Sequence, residues 1–299
     1  INLDILKEKG VSLVIKREDE LHPFISGNKF RKLKYNLLEA KEKGFKTLLS
    51  FGGAYSNHIS ALSYAGKTGG FRTIGIIRGE ELGLDIDHLL QTNPTLKFAH
   101  HNGMQFKFVS REDYRRKSSP DFIAALQSEF GDFYQIPEGG TNQLAIKGCQ
   151  EILTQEDEMF DYICVSIGTG GTISGLINAA ANQQIILGFP SLKGDFLQDI
   201  IDEKTFTKNN WKLIHEYHFG GYAKINEILI SFINDFNRQT AIPLDPIYTG
   251  KMMFGIMDLV KKNFFKKNSS ILAIHTGGLQ GIEGMNRLLS KKKLPLIDI

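Results

Sequence analysis

The sequence predicts an α/β protein with parallel sheets, on three observations. Short β-rich runs alternate with helix-spaced segments along the chain. Three glycine-rich turns, at 52–53, 168–172 and 276–278, each follow an apolar, strand-like run. With 299 residues and 41% hydrophobic content, the chain is long enough for one large core or two modest ones. Strand–helix alternation implies right-handed crossovers, which bring the loops after the strands to one rim. Ligands of open α/β sheets bind at such a rim, so the three glycine turns are expected to gather at one site.

Each element has its own signal. Strands are expected at 11–16, 47–51, 73–77, 106–109 and 133–136, then at 162–167, 185–188 and 270–275. A helix is expected over 29–43, with Leu33, Leu37 and Ala40 on one face and charges opposite. A small-residue helix over 56–66 ends at Gly69-Gly70, and a helix end at 88–92 is closed by Pro94. Further helices are expected at 121–130, 144–154, 173–181, 225–237, 250–262 and 281–289. Internal repeats and low-complexity segments are not evident.

Composition narrows the function classes. A formal net charge of +3, spread along the chain, gives no case for nucleic acid or a membrane surface as partner. The run Lys291-Lys292-Lys293 reads as a solvated helix end. Two cysteines, Cys149 and Cys164, without a paired framework suit a reducing compartment, and Cys164 sits inside an apolar run. No secretory leader or membrane-length apolar stretch is read, so the expected location is cytoplasmic. His100-His101 and His215/His218 lack a third ligand at helical spacing, so no metal site is expected. A hydrolase elbow of the G-x-S-x-G type is absent.

The strongest local signal is the segment Gly168, Thr169, Gly170, Gly171 and Thr172, between a buried strand and a helix. Glycines let backbone N–H groups converge on an anion, a helix N-terminus adds partial positive charge, and threonine hydroxyls donate further bonds. This favours a phosphate cup over a tight turn that binds nothing. The dinucleotide fingerprint lacks its third glycine, and no Gly-Lys-Ser/Thr follows for a Walker A loop. A single phosphate beside a suitably placed lysine suggests pyridoxal 5′-phosphate (PLP), whose lysine belongs in a turn or first helical turn near the rim. Lys29 fits: Gly27 gives room and Asn28 can cap the helix. A solvated lysine is the plain alternative, but Lys29, Arg31 and Lys32 in a first helical turn oppose the helix dipole unless an anion is present.

The segments 16–21, 27–33 and 52–58, with Ser56-Asn57-His58, resemble the family of 1-aminocyclopropane-1-carboxylate (ACC) deaminase and D-cysteine desulfhydrase. The resemblance continues at 168–172, at 244–251 and at His275-Thr276-Gly277-Gly278, and is collinear over nearly the whole chain. It implies the tryptophan-synthase-β-like PLP fold type II: two open, mainly parallel-sheet α/β domains with the cofactor between them. The larger, PLP-binding domain would comprise 1–34 and 140–299, and the smaller one 35–139. A homodimer and a small amino-acid substrate are also implied.

The resemblance further implies residue roles. Lys29 would carry PLP as a Schiff base and move the substrate Cα proton. Asn57 would bond the pyridine 3′-oxygen, and Lys32 with the 168–172 cup would hold the phosphate. Ser56, Asn57 and His58 would grip the substrate carboxylate, and Tyr248 and Tyr222 would face the substrate. ACC deaminases carry Glu after the tyrosine that corresponds to Tyr248, where this chain has Thr249, and usually Gln where it has His58. A neutral hydroxyl at the pyridine nitrogen, from Thr249 or Thr276, gives a weaker electron sink than a carboxylate. β-Elimination of a thiol, which has a good leaving group, tolerates that weakness better than opening a cyclopropane. The expected activity is therefore deamination by β-elimination of D-cysteine to pyruvate, ammonia and hydrogen sulfide. The alternatives are ACC deamination to 2-oxobutanoate and ammonia, or PLP binding with little catalysis. Two departures bear on the substrate side: the family's Gly-Tyr-Gly-x-Pro turn reads Gly221-Tyr222-Ala223-Lys224-Ile225, and the stretch 183–195 looks short and irregular.

Overall fold

The structure, a computed structural model, describes residues 1–194, 196–205 and 210–298. Its nine strands are β1 (Ser12–Lys16), β2 (Thr47–Gly52), β3 (Arg72–Arg78), β4 (Gln105–Val109), β5 (Tyr134–Ile136), β6 (Tyr162–Ile167), β7 (Ile185–Pro190), β8 (Trp211–Leu213) and β9 (Ser270–Ile274). They form two wholly parallel sheets, one of five strands in the order β1-β9-β6-β7-β8 and one of four in the order β4-β3-β2-β5. Every residue of β2 and of β6 is buried, as expected of strands covered on both faces by crossover helices.

Strand order creates a reversal point in each sheet. From β6 the chain steps outward to β7 and β8, whereas β9 lies on the other side of β6. From β2 it steps outward to β3 and β4, whereas β5 lies on the other side of β2. The crevices beyond the strand ends at β6/β9 and β2/β5 are therefore the places where a ligand fits between diverging loops.

Three helices link these points. The helix Asn28–Glu42 packs on Gln143–Gln150, which packs in turn on Gly171–Ala179, directly after β6. The expected helix over 144–154 stops at Gln150, and a 3-10 turn at Gln155–Met159 follows, closed by a reciprocal Thr154–Asp157 capping box. Pro94 does more than end a helix: it occupies the first turn of Pro94–His101, capped by Asn93, because proline's missing N–H costs nothing there. The stretch 183–195 contains the regular strand β7, and Asp195 lies outside the described residues. Lys291, Lys292 and Lys293 are exposed at the end of Gly281–Lys291. Both cysteines are buried and unpaired. No helix among the described residues is long and apolar enough to cross a membrane.

Candidate active site

The two reversal points open into one cavity of about 540 Å³ between the sheets. All three glycine turns reach it: 52–53 through Gly53, 168–172 through Gly168, Thr169, Gly170 and Thr172, and 276–278 through Thr276 and Gly277. Lys29 and Lys32 enter from the first turn of Asn28–Glu42, and Tyr222 and Tyr248 enter from the C-terminal half.

That first turn forms where it does because of Gly27, the N-cap residue, at φ 63° and ψ −141°. This left-handed geometry favours glycine, and a Cβ there would sit 1.9 Å from the Thr276 carbonyl oxygen. Gly27, and not Asn28, therefore caps the helix. The Asn28 amide instead donates to Thr172 Oγ1 at 2.8 Å, and its oxygen accepts from Lys29 Nζ at 2.7 Å. A chain of two hydrogen bonds thus ties the lysine to the first turn of the helix after β6. Burial, helped by the nearby Lys32 charge, pushes the Lys29 amine down to about 7. Near neutral pH a large share of it is then the free amine, the form that attacks a carbonyl carbon.

The cation cluster in this turn resolves into two different cases. Arg31 is not available to a ligand, because it makes a two-pronged ion pair with the buried Glu18, at 2.9 and 3.0 Å. Lys32 is buried and donates only to neutral oxygens: Gly139 O at 3.1 Å, Thr141 Oγ1 at 2.9 Å and Thr169 Oγ1 at 3.4 Å. Burial lowers its pKa. A buried ammonium without a carboxylate partner, directly under a Gly/Thr turn, is suited to an incoming anion. The helix expected from 173 begins at Gly171, so Gly171 and Thr172 supply first-turn N–H groups. Gly171 itself does not line the cavity; a Cβ on it would lie 3.3 Å from Lys32 Nζ, so its smallness admits the ammonium.

On the opposite wall, Ser56 caps the helix Asn57–Gly69 by accepting from Ile59 N at 3.3 Å. This leaves the early N–H groups of the turn, with the helix's partial positive charge, at the cavity. Asn57 Oδ1 accepts from Gln280 Nε2 at 2.6 Å, so the residue is braced by the other wall. His58 is buried at 1% exposure and turns inward. Its Nε2 lies 2.8 Å from Ser50 Oγ, which itself donates to Ile136 O at 2.7 Å. Ser50 therefore accepts from Nε2–H, and Nδ1 is left as a bare, buried acceptor without a partner. Burial, with Lys29 and Lys32 nearby, holds the imidazole well below its usual pKa and so neutral.

The expectation for Thr249 needs adjusting. Thr249 does not reach the cavity: it is fully buried, donates to Asp245 Oδ1 at 2.8 Å and accepts from Asp245 N at 2.9 Å. Asp245 also accepts from the N–H groups of Ile247, Tyr248 and Thr249, so this knot shapes the helix start at Tyr248. The hydroxyls at the sheet end are those of Ser166 and Thr276, 3.1 Å apart. Sequence reasoning missed Ser166, and also Arg78 and Glu138 on the four-stranded-sheet side. Glu138 is the single carboxylate among the described lining residues, and it is engaged by Tyr114 at 2.7 Å and Lys117 at 3.3 Å. Charged residues at strand ends carry no pattern that separates them from solvated ones; only their places, Arg78 at the end of β3 and Glu138 just after β5, mark them.

The residues fit pyridoxal phosphate on the structure's own terms: an uncompensated buried cation beneath a glycine cup, a lysine near neutrality beside it, and polar groups from both walls. Comparison with known proteins agrees. Residues 1–277 match the family model described as "Pyridoxal-phosphate dependent enzyme". A putative 1-aminocyclopropane-1-carboxylate deaminase of Pyrococcus abyssi is 31% identical, over 93% of this chain and 88% of that protein. The mitochondrial bifunctional D-cysteine desulfhydrase/1-aminocyclopropane-1-carboxylate deaminase of Arabidopsis thaliana is also 31% identical, over 91% of this chain and 74% of its own. A crystal structure of an ACC deaminase homologue superposes with a TM-score of 0.82 at 29% identity, covering 96% of this chain and 91% of the other. Threonine deaminase isoform 2 of Solanum lycopersicum shares the fold at 17% identity, with a TM-score of 0.64 over 96% of this chain and 81% of the other.

Proposed function

This chain belongs to the family of pyridoxal-phosphate dependent enzymes, with the type II fold, and on that premise we propose that it deaminates D-cysteine by β-elimination to pyruvate, ammonia and hydrogen sulfide. The observation that carries the choice of reaction is the neutral sheet end of the cavity, where Ser166 and Thr276 offer hydroxyls and the one lining carboxylate among the described residues, Glu138, belongs to the other sheet. When bound, the cofactor supplies an electron sink for charge developing at the substrate Cα. Ser166 and Thr276 would offer only hydroxyls to its ring nitrogen, so that sink would be weak, which suits a substrate carrying a good leaving group.

The chain's own groups divide the remaining work. Lys32, the 168–172 turn and the first N–H groups of Gly171–Ala179 hold the phosphate. Asn57, braced by Gln280, orients the ring oxygen. The substrate carboxylate lies against the helix start at Ser56, Asn57 and His58, where His58, being neutral, adds no charge. Lys29 Nζ takes the Cα proton, which an amine titrating about 7 does at neutral pH. Tyr248, which burial holds protonated, and Tyr222 beside it face the substrate with hydroxyls.

A second reading, ring-opening deamination of ACC, is favoured by the names of the relatives, one of which pairs both activities. The two are separated by incubating the purified protein with each amino acid: pyruvate and sulfide from D-cysteine are expected, with little 2-oxobutanoate from ACC. Product from ACC alone would overturn the D-cysteine reading. A visible cofactor band with neither product would leave only PLP binding. Lys29→Ala is expected to lose both the band and turnover, and retained turnover would remove Lys29 from the mechanism. In the same reading the chain divides into 1–34 with 140–299 and 35–139, works as a homodimer, and resides in the cytoplasm, in keeping with two free thiols.

A further inference from the structure

Lys251 lies in the third residue of the helix Thr249–Lys261, three positions after Tyr248, and is buried at 2% exposure. A buried lysine is costly unless its charge is met. Here two main-chain carbonyls meet it: Nζ donates to His218 O at 2.9 Å and to Gly221 O at 2.8 Å. Asp245 acts on it only through space. Burial pushes its pKa down to about 8, so at neutral pH the ammonium is still the main form and both donations stand.

The two carbonyls bracket a turn that needs holding. Phe219, Gly220, Gly221 and Ala223 all have positive φ, at 54°, 91°, 116° and 54°. The left-handed region is unfavourable for a residue with a Cβ, so Phe219 and Ala223 strain this segment. Tyr222 stands at its tip, 42% exposed, and meets Tyr248 edge to face with ring centroids 6.3 Å apart. The same helix start therefore supplies Tyr248 directly and Tyr222 through Lys251.

We propose that Lys251 is a positioning residue whose ammonium ties the 218–221 turn to the Tyr248 helix and so fixes Tyr222 at the substrate side of the cavity. The inference rests on the reading of Tyr222 as a substrate-facing group, and its test separates the two. Lys251→Met removes the donors while keeping the length and apolar stem. In the cofactor-loaded protein, hydrogen exchange of the peptide covering 217–226 is expected to rise about tenfold with the rest of the chain unchanged, the loss of two charge-assisted bonds. KM for the amino acid is expected to rise about tenfold while kcat falls less than threefold. The cofactor band stays, because Lys251 touches no cofactor-binding group. In a Tyr222→Phe background the same substitution should have no further effect on KM. Unchanged exchange at 217–226, or an equal KM penalty in the Tyr222→Phe background, would overturn the proposal. If Tyr222→Phe alone leaves KM unaltered while exchange still rises in Lys251→Met, the clamp stands and the substrate-facing reading of Tyr222 falls. Should Lys251→Met not fold, Lys251→Gln, whose amide can donate to one carbonyl, is expected to give an intermediate exchange rate; wild-type exchange in that variant would count against the clamp.

Discussion

At the scale of single residues, the site turns on the charge state of a few amines. Lys29 titrates at about 7 in the fold and near its ordinary 10.5 in the open chain. Between those values the unfolded chain binds more protons, so the cofactor-free protein gains stability from Lys29 as pH rises through that window, and has none of this gain below 7. Capture of added PLP follows the free amine: its rate is expected to climb with a midpoint at about pH 7 and level off above, by absorbance in a stopped-flow mixer. A midpoint near 10 would mean that the cavity does not perturb the amine. Lys29 was legible in the sequence because a glycine, an asparagine and a lysine open a helix together, a local pattern. Thr249 was misplaced because its hydroxyl is taken by Asp245, four residues earlier, a contact no pattern announces. Lys251 lies in the 244–251 segment without a local sign of its burial, which only the fold reveals.

At the scale of elements, the helix that carries Lys29 and Lys32 is aligned by backbone contact as much as by side chains. Gly148 of Gln143–Gln150 lies so close to Asn28–Glu42 that a Cβ would be 2.0 Å from Arg31 O. Gly148→Ala must push the two helices apart. A loss of about 2–3 kcal/mol in unfolding free energy is expected from such overpacking, measured by denaturant titration, together with weaker PLP binding because Lys32 moves off the cup. A wild-type affinity would show that the lysines do not depend on this packing. Periodicity exposed the long helices well, and strand runs rich in β-branched residues gave eight of the nine strands. It failed on short pieces such as β8, Asp4–Lys9 and Phe196–Asp202, where three to seven residues do not make a period.

At the scale of the whole molecule, one ligand would touch both sheets. The buried, uncompensated Lys32 destabilises the cofactor-free form, and PLP binding at a hundredfold excess over Kd is expected to add about 2.7 kcal/mol, or about 4 °C in Tm for a chain of this length. Calorimetry showing two transitions without cofactor and one with it would mean that the ligand couples the two sheets. An unaltered Tm would sever the cavity from the fold's stability. The parallel character of the sheets and the meeting of the glycine turns were legible from alternation alone, since right-handed crossovers leave no other rim. The strand order was not, because it depends on which neighbours each strand finds, and the residues lost from view, Arg78 and Glu138, are those contributed by that order.

The position of β9 has a temporal consequence. It is the last strand among the described residues, yet it lies inside its sheet, between β1, the first, and β6. On a ribosome, β1 waits without a partner through more than two hundred residues of elongation, and Thr276, with the carbonyl against which Gly27 seats, emerges after the whole four-stranded sheet. A nascent chain can therefore complete its four-stranded sheet while the pocket still lacks the wall that β9 supplies. Cofactor loading accordingly waits for β9, and a product truncated before that strand lacks the Thr276 side of the pocket and is expected not to take the cofactor up.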